Sequence, residues 1–74
     1  MPHITIKCYK GRTKEELDNI AKKLADYAAE SFGTKRTSIS VTIKEVDKEE
    51  WKDVYDNDIY GDPENLRVEP GYKM

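Results

Sequence analysis

The residue best placed to move a proton is the second one. If the initiator Met1 is removed, as is usual ahead of a small residue, Pro2 presents a free secondary amine at the head of a strand. A peptide nitrogen has no basic lone pair, whereas an N-terminal proline has one. Its ring restrains the nitrogen, so a strand that fixes the carbonyl also aims the amine. Taken alone, Pro2 has a plainer reading: it follows the start codon, and proline is tolerated at the first residue of a strand. Two other reactive types stand nearby. His3 reads as a surface or interface residue, since one imidazole makes no metal site without partners the sequence does not advertise. Cys8 alternates with isoleucines, which favours an inert, buried thiol over a nucleophile. No nucleophile elbow, phosphate-binding glycine loop or histidine pair at metal spacing is present, and no metal is expected.

The elements that must position these groups follow from hydrophobic spacing. From His3 to Tyr9 the residues alternate, with Ile4, Ile6 and Cys8 on one face, which predicts a strand over about 3–9. Lys10-Gly11-Arg12 breaks the pattern. Thr13-Lys14-Glu15-Glu16 then fits a capping box, and a helix is expected over about 14–32. In it Leu17, Ile20, Ala21, Leu24, Ala25, Ala28 and Phe32 share one stripe, and Gly33 is suited to a left-handed end. Alternation returns over about 38–46, with Ile39, Val41 and Ile43 together. Asp47-Lys48-Glu49-Glu50 resembles a second capping box ahead of a short helix over about 48–59, carrying Trp51, Val54, Tyr55 and Ile59. Gly61-Asp62-Pro63 and Pro70-Gly71-Tyr72 are turn formers, so residues 60–74 read as an irregular or extended tail, ordered where it docks.

The expected architecture is therefore a single α+β domain (α/β in its local connection) over residues 1–74. It is a βαβ unit of two parallel strands, with the long helix on one sheet face and the other face left open. Two strands make too small a sheet to stand alone, and only 36% of the residues are hydrophobic, so pairing with a second copy is expected. The single cysteine excludes an intrachain disulfide. Thirteen basic and fifteen acidic residues give a net charge of −2, without the cationic excess of a nucleic-acid or anionic-membrane binder. No apolar run approaches the ~20 residues that span a bilayer, and MPHITIKC does not read as a signal peptide; the expected compartment is the cytoplasm.

The opening PHITIKCYKGRT, the helix after it, the strand TSISVTIKEV and the aromatic Trp51 together resemble the 4-oxalocrotonate tautomerase family over almost the whole chain. PHITIKC, SISVTI, the acidic segment ending in Trp51 and the terminal PGYKM more closely resemble its phenylenolpyruvate tautomerase-like branch. The resemblance implies that mature Pro2 is general base and then general acid in a cofactor-independent enol–keto tautomerisation. A model α-amine titrates at about 7.7–8.0 and a secondary amine higher; an apolar pocket or nearby cations would bring it toward neutrality. Arg12 falls on the family's loop arginine and would hold a substrate carboxylate, against the plainer reading of a solvated loop residue. Trp51 falls on an aromatic pocket residue, against that of an anchor for its own helix. Ser40 stands where the best-known members carry a second arginine. That departure disfavours a dicarboxylate and points to a monocarboxylated 2-hydroxydienoate or an aromatic enolpyruvate, unless Lys7 or Arg67 supplies charge. The branch with the PGY tail implies a homodimer rather than a hexamer, its four-stranded sheet carrying both long helices on one face. The competing functional readings are a non-catalytic oligomeric binding or structural module on the same fold, and a dehalogenase or hydratase using cationic Pro2.

Overall fold

In a computed structural model that describes all 74 residues, the alternating stretch near the N-terminus forms strand β1 (His3–Tyr9). Helix α1 (Lys14–Phe32) begins at the expected capping box: the Thr13 hydroxyl accepts from the Glu16 N–H at 3.1 Å, and the Thr13 N–H donates to the Glu16 carboxylate at 3.1 Å. It ends at Gly33, whose left-handed backbone (φ 64°) lets its N–H reach the carbonyls of Ala29 and Glu30. Strand β2 (Ser40–Val46) lies parallel to β1, with His3 beside Ser40, Ile6 beside Ile43 and Tyr9 beside Val46. It starts two residues later than its alternation suggests, because Arg36–Ser38 makes a 3₁₀ turn. Arg36 of that turn is tied to Asp26 of α1 at 2.7 Å.

Residues 48–59 are helical throughout, but not as one α-helix. A 3₁₀ turn (Lys48–Glu50) leads into α2 (Trp51–Val54), which widens into a π-helical turn (Tyr55–Ile59) closed by Tyr60 N–H donating to the Tyr55 carbonyl at 3.0 Å. The second capping box does not form. Asp47 makes no side-chain cap and is drawn instead to Lys10, 3.0 Å away. Gly61 follows directly, and a Cβ there would lie 2.3 Å from the Asn57 carbonyl oxygen, so the chain can fold back over this turn only at a glycine.

The expectation of an open sheet face is also revised. α1 lies over the Ile4/Val41 face, mainly above β2, and the small core is there: Ala25, Ala28 and Ile39, with Ile4, Ala29 and Val41 packed around them. The second helical stretch packs on the opposite face, where Trp51 meets Tyr9, Asp58 meets Lys7, and Val54 is buried. Packing Trp51 and Val54 over the Thr5, Lys7 and Tyr9 face, the first half-buried and the second buried, removes apolar surface that a free segment would leave in water. Even so, Ala25, Ala28, Ile39 and Val54 are the only buried residues. A sheet two strands wide is narrower than the α1 stripe, so Leu24 stays 38% and Phe32 68% exposed, contrary to the stripe reading. An apolar hollow of about 190 Å³ between β1 and the start of α1, lined by Ile6, Cys8, Leu17, Ile20, Ile43 and the Arg12 side chain, marks where the helix fails to cover β1.

Thr13→Ala should lower unfolding stability by about 1 kcal/mol, read by urea denaturation. The Thr13 backbone N–H, then its hydroxyl, hold the Glu16 carboxyl below its ordinary 4.5. A depressed folded value means that the stabilisation is complete above that pH and lost as pH falls through the folded value. Glu16→Gln should therefore flatten the decline of stability below pH 4.5.

Candidate active site

Each end of β1 carries its own group of polar side chains. At the N-terminal end the Pro2 carbonyl accepts from the Ser40 N–H at 3.3 Å, the first rung beyond the ladder, and the Met1 amine donates to the Ser38 carbonyl. The Pro2 ring is thus anchored at its carbonyl, and half-buried, by the start of β2. Ser40 is also held through its side chain, with Oγ 2.7 Å from His3 Nδ1, while His3 Nε2 lies 3.3 Å from the Thr42 hydroxyl. A neutral imidazole with its proton on Nε2 accepts from Ser40 and donates to Thr42, satisfying both contacts. His3 is exposed on the sheet face, as its alternation indicated.

At the C-terminal end, Gly11 takes φ 128°, a backbone that side-chain-bearing residues rarely adopt, and turns the chain so that Arg12 stands just ahead of the α1 cap. A cation at a helix N-terminus opposes the helix dipole, which the first-turn acids Glu15 and Glu16 offset. Arg12 lines a cavity of about 400 Å³ with Lys7, Cys8, Tyr9, Trp51 and Tyr72, a volume in the range of small-molecule sites. Three aromatic side chains build its wall. Trp51 stands edge-on to Tyr9, ring centres 5.2 Å apart, and its indole N–H donates to the Tyr72 hydroxyl at 2.8 Å. Tyr72 also packs at a tilt against Tyr55, ring centres 5.8 Å apart, and Tyr55 against Tyr60 at 4.9 Å, so the irregular tail is docked. Removal of Tyr60 from water raises its phenol pKa above 10.0, with Tyr55 adding to the shift.

The four residues singled out from sequence therefore fall into two pairs. Pro2 and Ser40 meet at one end of the sheet, Arg12 and Trp51 at the other, about 20 Å apart along a strand rising ~3.3 Å per residue. Of the two alternative cations, Lys7 lines the cavity and Arg67 does not. Cys8 is a free, half-buried thiol in the wall, and the only histidine is at the far end of the same strand. Sequence reasoning missed Tyr72 and Tyr9 as wall residues. For Tyr72 the available signal was an aromatic immediately after the Pro70-Gly71 turn in a polar tail.

Residues 2–52 match the family model described as "Tautomerase enzyme". The chain is 34% identical over 76 residues to "Tautomerase PptA" of Enterobacter sp. (strain 638), and 32% identical over 75 residues to proteins of the same name from Escherichia coli (strain SMS-3-5 / SECEC) and Shigella sonnei (strain Ss046). Each alignment covers the whole of both chains.

Tyr72→Phe keeps the ring and removes the acceptor of the Trp51 N–H. It should cost about 0.5–1.5 kcal/mol, the usual net worth of one hydrogen bond, and change the emission of this single tryptophan in the folded protein. An unaltered Trp51 spectrum would show that the tail does not dock there in solution.

Proposed function

The chain belongs to the tautomerase family, and from that premise we propose that it is an isomerase catalysing enol–keto tautomerisation of a small monocarboxylated 2-hydroxydienoate or an aromatic enolpyruvate. The observation that carries this reading is the anchoring of Pro2 by Ser40 at the head of β1. Once Met1 is removed, the carbonyl still held by β2 leaves the ring nitrogen as the group presented at the strand end. The neutral amine takes the enol hydroxyl proton and returns a proton to carbon; the C=C pair forms the new C–H bond while the oxygen becomes a carbonyl. Redox state is unchanged throughout, so no electron acceptor or cofactor is required. Arg12 holds the carboxylate and stabilises the enolate charge that develops between the two transfers. Tyr9, Trp51 and Tyr72 exclude water, which strengthens both effects.

One small substrate cannot touch both ends of a seven-residue strand in one chain. The proposal therefore requires a homodimer in which the free edges of β1 pair antiparallel, bringing the Pro2 end of one copy beside the Arg12 loop of the other. The site residues of such a dimer are Pro2 and Ser40 from one copy with Arg12 and Trp51 from its mate. The incompletely covered β1 and the exposed Leu24 and Tyr27 of α1 support that arrangement, because a second copy would bury them. A hexamer is not needed to complete the site. No helix is long and apolar enough to cross a membrane, and the proposal places the reaction in the cytoplasm.

A second reading, a non-catalytic module on the same fold, applies to a chain that keeps Met1. With Met1 in place its amine is hydrogen-bonded to Ser38, and the Pro2 nitrogen is an amide with no basicity. Intact mass of the protein from its native host separates the two, since the catalytic form lacks Met1. In that form Pro2→Ala should lower kcat for phenylenolpyruvate or 2-hydroxymuconate by about 10²–10⁴-fold, the usual contribution of a positioned acid–base group. Arg12→Ala should lower kcat/KM, raising KM through the lost hold on the carboxylate and lowering kcat through the lost stabilisation of the enolate charge. Wild-type activity in Pro2→Ala would refute the proton-transfer role.

A further inference from the structure

Residues 7–12 carry three cations, Lys7, Lys10 and Arg12, and two of them are already paired with carboxylates. Lys10 lies 3.0 Å from Asp47, whose hydrogen bond and charge raise its ammonium pKa above the ordinary 10.5. Lys7 is in direct ion-pair contact with Asp58 of the π-helical turn. Arg12 forms no ion pair; Glu16, an acid close enough to feel its charge, is hydrogen-bonded at the Thr13 N–H instead. The two cations in the 400 Å³ cavity, Lys7 and Arg12, thus differ: one has a resident carboxylate and one is free.

Asp58 is not itself in the wall of that cavity. It lines a neighbouring hollow of about 380 Å³ that shares Lys7 and Trp51 with the first, and from there it holds the Lys7 ammonium. We infer that Asp58 is a specificity-determining residue: by occupying Lys7 it leaves Arg12 as the single free cation, so the cavity accepts a monocarboxylate and discriminates against a dicarboxylate of the same shape. A second substrate carboxylate directed at Lys7 has to displace Asp58 or lie against its charge, and like charges at that distance repel. Ser40 removes the cation from one end of the composite site, while Asp58 cancels one at the other. The Lys7 and Asp58 side chains are 35% and 40% exposed, so the effect is bounded and screened by salt. This inference rests on the reading of the cavity as a carboxylate site.

The test is isothermal titration calorimetry of the full-length protein with cinnamate and 4-carboxycinnamate, which share one skeleton and differ by a carboxylate on the ring. Binding is read without turnover, so the result does not depend on Pro2 chemistry. Wild type should bind cinnamate more tightly. Asp58→Asn should tighten 4-carboxycinnamate about tenfold, the order of one charge-assisted hydrogen bond, and leave cinnamate little changed. Adding Lys7→Met to Asp58→Asn should abolish the gain. An unchanged ratio in folded Asp58→Asn, or a gain that survives loss of Lys7, overturns the inference. Should Asp58→Asn not fold, Lys7→Met alone decides: it leaves the Asp58 charge unpaired, so the inference expects the preference for cinnamate over 4-carboxycinnamate to widen, whereas an unchanged or narrowed preference overturns it. If neither anion binds, the carboxylate reading falls and the inference with it. If the ratio shifts as stated while Pro2→Ala stays active, only the acid–base assignment falls.

Discussion

The separation imposed by strand β1 governs the rest of the molecule. Its seven residues hold the Pro2 end and the Arg12 end about 20 Å apart at ~3.3 Å per residue, well beyond the length of a small hydroxydienoate or an aromatic enolpyruvate. A parallel βαβ unit cannot fold these ends together, because both strands run the same way and the crossover helix spans their length. Chemistry that uses both ends has to be shared between chains. The same strand has no fully buried residue, with a free edge on one side and a helix offset toward β2 above it. The proposed second copy thus has two supports, the separation of the two ends and the thinness of the core.

Each end is held by a different physical device. At the Pro2 end the device is backbone hydrogen bonding: the Ser40 N–H fixes the proline carbonyl, and the His3 ring between two hydroxyls fixes the Ser40 side chain. At the Arg12 end it is a positive-φ glycine one residue before Arg12 and a capping box one residue after it, which places the guanidinium ahead of a helix start whose Glu16 is already hydrogen-bonded. The aromatic wall beside Arg12 depends on the C-terminal tail, because the indole N–H of Trp51 finds its acceptor in Tyr72. Charge around the cavity is trimmed from the second helical stretch, through Asp58 on Lys7, and from the link after β2, through Asp47 on Lys10.

What could be read from the sequence was what local signals encode. Alternation located β1, the Thr13–Glu16 box and Gly33 bounded α1, and the spacing of Trp51 and Val54 announced a short helical stretch. The candidate residues Pro2, Arg12, Ser40 and Trp51 were named through likeness to a family, and their division between two ends of the sheet needed the parallel register. Contacts between distant residues were not legible. Nothing near Asp58 indicates that its partner is Lys7, nothing in the tail indicates that Tyr72 meets Trp51, and the apolar pattern of the second helical stretch does not say which sheet face it covers. Asp47 was misread for the same reason, since its local promise as a cap lost to a lysine across the sheet end. Leu24 and Phe32 fit the helical stripe by spacing, yet a two-stranded sheet is too narrow to cover them.

The shared site can be tested by mixing two defective proteins, one carrying Pro2→Ala and the other Arg12→Ala, under conditions that allow subunits to exchange. Each homodimer has a defect in every site. A mixed dimer has one site with both defects and one in which Pro2 of one chain meets Arg12 of the other. Activity at low substrate should rise on mixing toward about a quarter of wild type, since about half of the dimers are mixed and one of their two sites is whole. Activity that stays at the average of the two parents after demonstrated exchange would contradict a site built across two copies.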